Sequence, residues 1–255
     1  MNQKSAVDNS RHIKPVAITA GETGLRGRLA AMVAVVLLCA GCASQGDPRD
    51  PLEDVNRVVF ALNDGLDKAI LKPVAQGYDA VTPQPLRTGF NNFFGNINDI
   101  FIGLNNLLQG KPGAAASDFG RVMINSTVGL LGLIDIASDV GLEKHDEDFG
   151  QTLASWGVGD GPYLMLPLLG PRTLRDTAAL PVDWSADPLD HVDHVRTRNS
   201  LQFWRLADRR AELLPADKVI EEAALDKYSY IRDAWLQRRR NLVYDGDPPR
   251  EKIDY

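Results

Sequence analysis

The stretch PLRTGFNNFFGNINDIFIGLNNLLQGKP, Pro85 to Pro112, places Leu86, Phe90, Phe93, Phe94, Ile97, Ile100, Phe101, Leu104, Leu107 and Leu108 at steps of three and four. That spacing predicts one long amphipathic helix. A helix facing water usually carries Lys and Glu on its other side. Here that side holds Asn91, Asn92, Asn96, Asn98, Asn105 and Asn106 with several Gly, and Asp99 is the only charge between Arg87 and Lys111. The pattern continues through AAASDFGRVMINSTVGLLGLIDIA, where Val122 to Ile134 carries no charge. From Thr88 to Ile134 the only charges are Asp99, Lys111, Asp118 and Arg121. Charge is expensive in hydrocarbon, while amide side chains cost less and can pair with one another. No stretch reaches the roughly 18 consecutive apolar residues of a spanning helix. The segment therefore reads either as the core of a helical protein or as helices embedded part-way into a leaflet.

The amino terminus is of a different kind. Arg26 and Arg28 precede an apolar run from Leu29 to Ala40 that ends in small residues, the layout of a secretory signal. It is too short to span a bilayer. Both cysteines lie at its end, in LLCAGCASQ from Leu37 to Gln45. Cys42 after Ala40-Gly41 resembles the modified residue of a bacterial lipobox, although Cys39 stands where Leu is usual. On that reading residues 1–41 are a signal peptide, Cys42 is lipidated, and the Cys-x-x-Cys spacing is no redox or metal pair. Removing residues 1–41 takes away five basic and two acidic residues, so the net charge goes from −6 to −9. An acidic protein does not bind nucleic acid or anionic headgroups by bulk charge. Ala43 and Ser44, rather than Asp, follow Cys42, which by resemblance to lipoprotein sorting implies the outer membrane.

The remainder of the 255 residues, 44% hydrophobic, reads as one helical domain from 50 to 243 after an acylated linker at 42–49. In DPLEDVNRVVFALNDGLDKAILKP, Asp50 is expected as N-cap, Pro51 in the first turn and Glu53 as the capping-box partner, with Pro73 stopping the helix. Gly141 to Gly150 is a polar loop, QTLASWG a short helix, and GDGPYLMLPLLGP an irregular apolar segment too rich in Pro for a central strand. Helices are expected from TLRDTAALP, around Ser200 to Leu214, and from Asp226 to Asn241, where Arg238-Arg239-Arg240 reads as a solvated helix end. Residues 244–255 read as a disordered tail.

Catalytic signatures are absent: there is no nucleophile elbow, no phosphate-binding Gly-Lys-Ser/Thr loop and no His-Glu-x-x-His. His191 and His194, interleaved with Asp187, Asp190 and Asp193, are the best metal candidates, yet they read as a solvated polar loop. No cofactor, metal or catalytic residue is expected, and the protein is not expected to be an enzyme.

With these segments in place, the chain strongly resembles the MlaA/VacJ family of outer-membrane lipoproteins. DPLEDVNRVVFALND, KPVAQGY, NNFFGNINDI, NNLLQGKP, GRVMINSTVGLLGLIDIA, DFGQTLASWGVGDGPYLMLPLLGPRTLRD and YSYIRDAWLQRR carry the resemblance in order from Asp50 to about Arg240. Ile100 stands where many members have Pro, and Ala154 where Gly is common. The resemblance implies an all-α, ring-shaped protein set in the periplasmic leaflet of the outer membrane, with a central amphipathic channel. It implies a lipid path along Asn92, Phe93, Phe94, Asn96, Ile97 and Phe101, and a gate loop containing Gly141, Lys144, His145 and Phe149. It further implies partnership with an outer-membrane porin trimer and transfer of mislocalised phospholipid to a periplasmic (MlaC-like) carrier. Two other readings stand beside it: a structural lipoprotein tethering envelope components, and a hydrolase acting on lipid or peptidoglycan.

Overall fold

The computed structural model describes residues 47–250. The expected signal peptide (1–41), the expected lipidation at Cys42 and residues 251–255 lie outside the described residues. The chain forms α1 (Glu53–Leu66), a π-helical turn (Asp67–Leu71), α2 (Lys72–Val81), α3 (Gln84–Leu108), α4 (Pro112–Thr127), α5 (Ile136–Asp139) and α6 (Phe149–Ser155). A hairpin of β1 (Tyr163–Leu166) and β2 (Gly170–Thr173) follows, then α7 (Leu174–Ala186), a 3-10 turn (Pro188–His191), α8 (Val195–Glu212), α9 (Leu214–Ala223) and α10 (Lys227–Val243).

The expected helical architecture holds, with one β element added. GDGPYLMLPLLGP is an antiparallel hairpin pairing Tyr163 with Thr173 and Leu166 with Gly170, not an irregular loop. A two-stranded ribbon has only edges, so Pro171 can stand opposite Met165 without breaking a central ladder. Tyr163 and Met165 turn inward against Val59, Phe60, Tyr228, Trp235 and Leu236. Leu168 and Leu169 at the turn are exposed.

Two helix punctuation signals act differently from expectation. Asp50 does not cap α1, whose first turn has no side-chain cap. It is buried, accepting from Asn56 Nδ2 at 2.7 Å, from the Tyr228 hydroxyl and from Arg232 Nη1 at 3.3 Å. Asn56 in turn donates to the Tyr163 carbonyl at 3.1 Å and accepts from the Met165 amide at 2.8 Å. The amino-terminal turn, the hairpin and α10 therefore meet at one carboxylate. Pro73 does not end the helix either. The Lys72 amide donates to the Asp67 carbonyl, one residue further back than in an α-helix. This wide turn carries the chain into Pro73 in the first turn of α2, where its missing N–H is harmless.

Arg239 corrects the solvated-end reading of α10. It is 7% exposed, bonding Asp148 at 2.6 and 2.7 Å and Asp176 at 2.7 Å, so it ties α10 to the cap of α6 and the first turn of α7. The tail expected from 244 begins with a turn in which Asp245 pairs with Lys111 at 2.6 Å.

The residues inside are unusual. Among the described residues, fourteen apolar side chains are buried, against eighteen polar or charged ones. Apolar contact between helices is confined to small clusters, such as Ala75 and Tyr78 of α2 on Ala207 and Ala211 of α8. What joins α3 to α4 is polar. Arg121, 1% exposed, lies 3.3 Å from the fully buried Asp99 and makes paired 2.9 Å bonds to Asp135, with further bonds to the Ser138 hydroxyl and the Leu142 carbonyl. Asn125 donates to Asp135 at 2.9 Å and accepts from the Ala137 amide at 2.8 Å. Asn106 donates to Asp118 at 2.8 Å, and the Thr152 hydroxyl donates to Asn105 at 2.7 Å.

The outward surface is the complement of this interior. Leu86, Ile100, Leu104, Leu107 and Leu108 of α3, Met123 of α4, and Val128, Leu130, Leu131, Leu133 and Ile134 after it are exposed. Leu130 and Leu131 sit at φ 53° and 60°, held by a bond from the Gly132 amide to the Asn125 carbonyl at 2.7 Å. Gly129 is required there, because a Cβ would lie 2.2 Å from the Ile134 carbonyl oxygen. Among the described residues no helix is long and apolar enough to cross a membrane.

Two outcomes test these contacts. Replacing Arg121 by Met leaves the buried Asp99 with only the half-exposed Lys144 and strips Asp135 of its guanidinium, and denaturation of the full chain should show a loss of about 3–5 kcal/mol. Asp183 behaves oppositely: burial, against a hydrogen bond from the Phe149 amide, pushes its carboxyl up to about 6. The native state therefore holds more protons than the unfolded chain between the ordinary carboxylate value and pH 6, and stability falls as pH rises through that window. Asp183→Asn should gain on the order of 1–2 kcal/mol at pH 8 and almost nothing at pH 4.

Candidate functional site

The two stripes of α3 border two kinds of space. On the polar side, Arg87, Thr88, Asn91 and Asn92 line a cavity of about 970 Å³ whose other walls are Lys72, Gln76 and Asp79 of α2 and Asp208, Glu212, Asp217 and Glu221 of α8 and α9. A second cavity of about 390 Å³ shares Asn91, Lys144, Asp208 and Glu212 with the first and adds Phe94, Gly95, Asn98, Arg205 and Arg209. A third, of about 530 Å³, lies between the 143–147 loop and the end of α10. Lys144 lines all three. The spaces therefore adjoin along one polar passage, with the Lys144 side chain at their junction.

On the apolar side is a cavity of about 510 Å³ lined by Tyr78, Val81, Leu86, Phe90, Phe93, Phe94, Leu131, Leu133, Leu201 and Trp204. Phe94 also lines the second polar cavity. Tyr78, whose ring faces the apolar space, donates its hydroxyl to Asp208 at 2.9 Å. Polar and apolar compartments thus meet at two aromatic residues, one from α2 and one from α3.

The expected path residues divide accordingly. Asn92 lines the large polar cavity and donates to the Leu133 carbonyl at 3.2 Å. Phe93 and Phe94, edge-on at 5.4 Å, line the apolar one. Asn96, Ile97 and Phe101 line none of the four cavities. Asn96 instead donates to the Ser126 hydroxyl at 2.9 Å and packs so closely on Gly132 that a Cβ there would approach its side chain to 2.8 Å. It fastens the apolar loop to α3.

In the candidate gate loop, Lys144 Nζ is 3.3 Å from Asp99 and His145 Nδ1 is 2.8 Å from Asp118. Glu147 accepts from Gln109 at 2.7 Å. Burial pushes the Asp99 carboxyl up, against the pull of Lys144 and Arg121. Gly141, at φ +84°, and Phe149, whose ring meets Trp156 at 5.9 Å, flank the loop without lining a cavity. Arg87, Arg205, Asp208, Glu212 and Arg209 belong to the site and were not expected. The four on α8 signal themselves in sequence only as a polar face, indistinguishable there from a water-facing one, and Arg87 only as a charge at the start of α3.

His191 Nδ1 meets the carbonyl of Asp187 at 3.0 Å, and His194 caps α8 through Thr197. Among the described residues no group of three or more His, Cys, Asp or Glu side chains could hold a metal. The arrangement suits a ligand with a charged end and an apolar end.

The family model described as MlaA lipoprotein matches residues 48–242. The intermembrane phospholipid transport system lipoprotein MlaA of Escherichia coli (strain K12) is 34% identical over 230 residues, covering 86% of this chain and 90% of that protein. The protein of the same description from Haemophilus influenzae is 30% identical over 236 residues, with the same coverage. An uncharacterized protein of Rickettsia bellii is 36% identical over 195 residues, 76% of each chain. A solved structure described as "Structural basis for maintenance of bacterial outer membrane lipid asymmetry" superposes with a TM-score of 0.66 at 33% identity, over 76% of this chain and 98% of that one. The fold, the polar passage beside α3 and these matches together show that the chain belongs to the MlaA lipoprotein family.

Proposed function

We propose that this protein is an outer-membrane lipoprotein that takes mislocalised phospholipids from the outer leaflet and passes them to a periplasmic carrier, so maintaining lipid asymmetry. The observation that carries this reading is the juxtaposition, across α3, of a polar passage with an apolar cavity and an exposed apolar exterior. A phospholipid has the same division: a headgroup that must stay solvated and acyl chains that must not. Leu130, Leu131 and the Leu of α3 gain roughly 1.5–3 kcal/mol each on leaving water for hydrocarbon, which favours a seat in the periplasmic leaflet. Cys42 acylation supplies the anchor. A diacylglyceryl thioether brings two acyl chains, enough for stable anchoring, and the apolar exterior adds to that hold.

Transport on this reading breaks no bond. The headgroup follows Arg87, Asn91, Asn92 and Lys144, while the acyl chains lie along Phe90, Phe93 and Phe94. Direction comes from the carrier's greater affinity for the lipid. The loop from Gly141 to Phe149 acts as gate, because Lys144 stands at the junction of the cavities and is fastened to Asp99 by a single ion pair. An outer-membrane porin trimer is the partner that gives access to the outer leaflet.

In a strain lacking the protein, lipid at the cell surface should rise, measured with a membrane-impermeant amine reagent. An unchanged surface signal sinks the transport reading and leaves a tethering lipoprotein. Purification of the full chain from membranes should bring phospholipid and a porin trimer with it. Gly95→Phe narrows the passage at a helical position where a Cβ meets only the Lys144 ammonium, and should reproduce the deletion phenotype with the fold intact. Deleting Asn92 and Phe93 should disturb gating, whereas His191→Ala should be neutral in the same assay.

A further inference from the structure

Two carboxylates in the passage form no direct ion pair and share the influence of Arg209, which lines the second cavity with them. Asp208 and Glu212 are one turn apart on α8, and both line the first and second polar cavities. Among the described residues neither forms an ion pair. Asp208, 5% exposed, accepts from the Tyr78 hydroxyl, and Glu212 accepts from Asn91 Nδ2, both neutral donors. The other acids of the large cavity are spoken for: Asp79 by Arg87, Asp135 by Arg121, Asp217 by Arg210 and Lys72, and Glu221 by Lys72. Burial raises the carboxyls of Asp208 and Glu212 against the pull of Arg209 on both and of Arg87 on Asp208, and Asp208 adds to the rise at Glu212.

The facing wall has the opposite character. Arg87 lines the same cavity and keeps a buried Nε donor with no hydrogen-bond partner, although its terminal nitrogens engage Asp79 and Gln84. Lys144 lines it as well, with a side chain that remains 47% exposed beside Asp99. One wall of the passage thus offers two carboxylates without an ion pair, against the single nearby Arg209, and the other offers the cationic donors of Arg87 and Lys144. Tyr78 joins the carboxylate wall to the apolar cavity.

We propose that this two-signed passage selects phospholipids whose headgroup carries a primary ammonium, with Asp208 and Glu212 receiving the ammonium and Arg87 and Lys144 the phosphodiester. The inference rests on the phospholipid-transport reading and sharpens it to aminophospholipids. An anionic headgroup with no ammonium, such as glycerol on the phosphodiester, leaves the two carboxylates facing an added negative charge. An ethanolamine headgroup satisfies both walls at once. Loss of a charge-assisted hydrogen bond of this kind corresponds to a roughly tenfold change in relative affinity.

The test uses the full-length protein, stripped of lipid in detergent and equilibrated with vesicles of equimolar phosphatidylethanolamine and phosphatidylglycerol. Lipid bound after re-isolation is quantified by mass spectrometry. The wild-type protein should carry phosphatidylethanolamine in about tenfold excess. Glu212→Gln, at an exposed helix position, and Asp208→Asn, which keeps an acceptor for Tyr78, should bring the ratio close to one with total bound lipid retained. The inference is overturned by a wild-type ratio equal to that of the vesicles or favouring phosphatidylglycerol, or by an unaltered ratio in a folded Glu212→Gln protein. Binding of both lipids without preference leaves the transport reading standing, whereas no bound phospholipid in any form removes that reading as well.

Discussion

The contact between Arg121 and the two carboxylates Asp99 and Asp135 is the constraint on which the rest of the structure depends. A guanidinium taken out of water costs several kcal/mol unless its donors are met with good geometry. Here they are met by side chains from α3 and from the start of α5, and by the Leu142 carbonyl at the root of the 141–148 loop. Satisfying one side chain therefore fixes the approach of α3 to α4, the exit of the apolar loop after α4 and the start of the loop beyond α5. A buried guanidinium whose donors are all met is specific in a way that interchangeable Leu contacts are not.

Because polar bonds hold the helices together, the apolar residues are left free to face outward. In a water-soluble bundle the same periodicity would turn Leu104, Leu107 and Leu108 inward. Here Asn105 and Asn106 are fully buried and those three Leu are exposed. The inversion also explains why α3 can border spaces of different polarity. With Asn and Arg on one stripe and Phe on the other, a single helix serves as the partition, and no second layer is needed to separate a headgroup route from an acyl route.

Much of this was legible in the sequence, and the remainder has physical reasons for being hidden. The 3-4 periodicity of α3, the low charge from Thr88 to Ile134 and the helix order all follow from pattern. Which face points inward does not, since periodicity gives a stripe and not its direction. Caps and stops depart from their local signals where long-range bonds overrule them. Asp50 in front of Pro51 and Glu53 has every local mark of an N-cap, but Tyr228 and Arg232, far along the chain, claim its carboxylate. Arg239 has the local mark of a helix-dipole cation, yet Asp148 and Asp176 draw it inward. The site on α8 is hidden for the same reason: Asp208 and Glu212 look like solvated residues until α2 and α3 are brought against them.

The same inversion bears on stability and on motion together. The 141–148 loop has almost no apolar anchorage and is held by Lys144 on Asp99, His145 on Asp118, and Glu147 on Gln109 and Lys111. Ion pairs that reach solvent are individually weak, with a median of about 0–1 kcal/mol, and Lys144 is the most exposed of these anchors. The inner bond of Arg121 to the Leu142 carbonyl is buried and costly to break. The loop therefore has a firm root and a loosely held crest, and the crest lies where the polar cavities join. A lipid phosphate arriving beside Lys144 competes with one carboxylate, Asp99, which retains Arg121 when the ammonium leaves. In the proposed transport cycle the passage can thus open at Lys144 while the network that sets the fold stays closed.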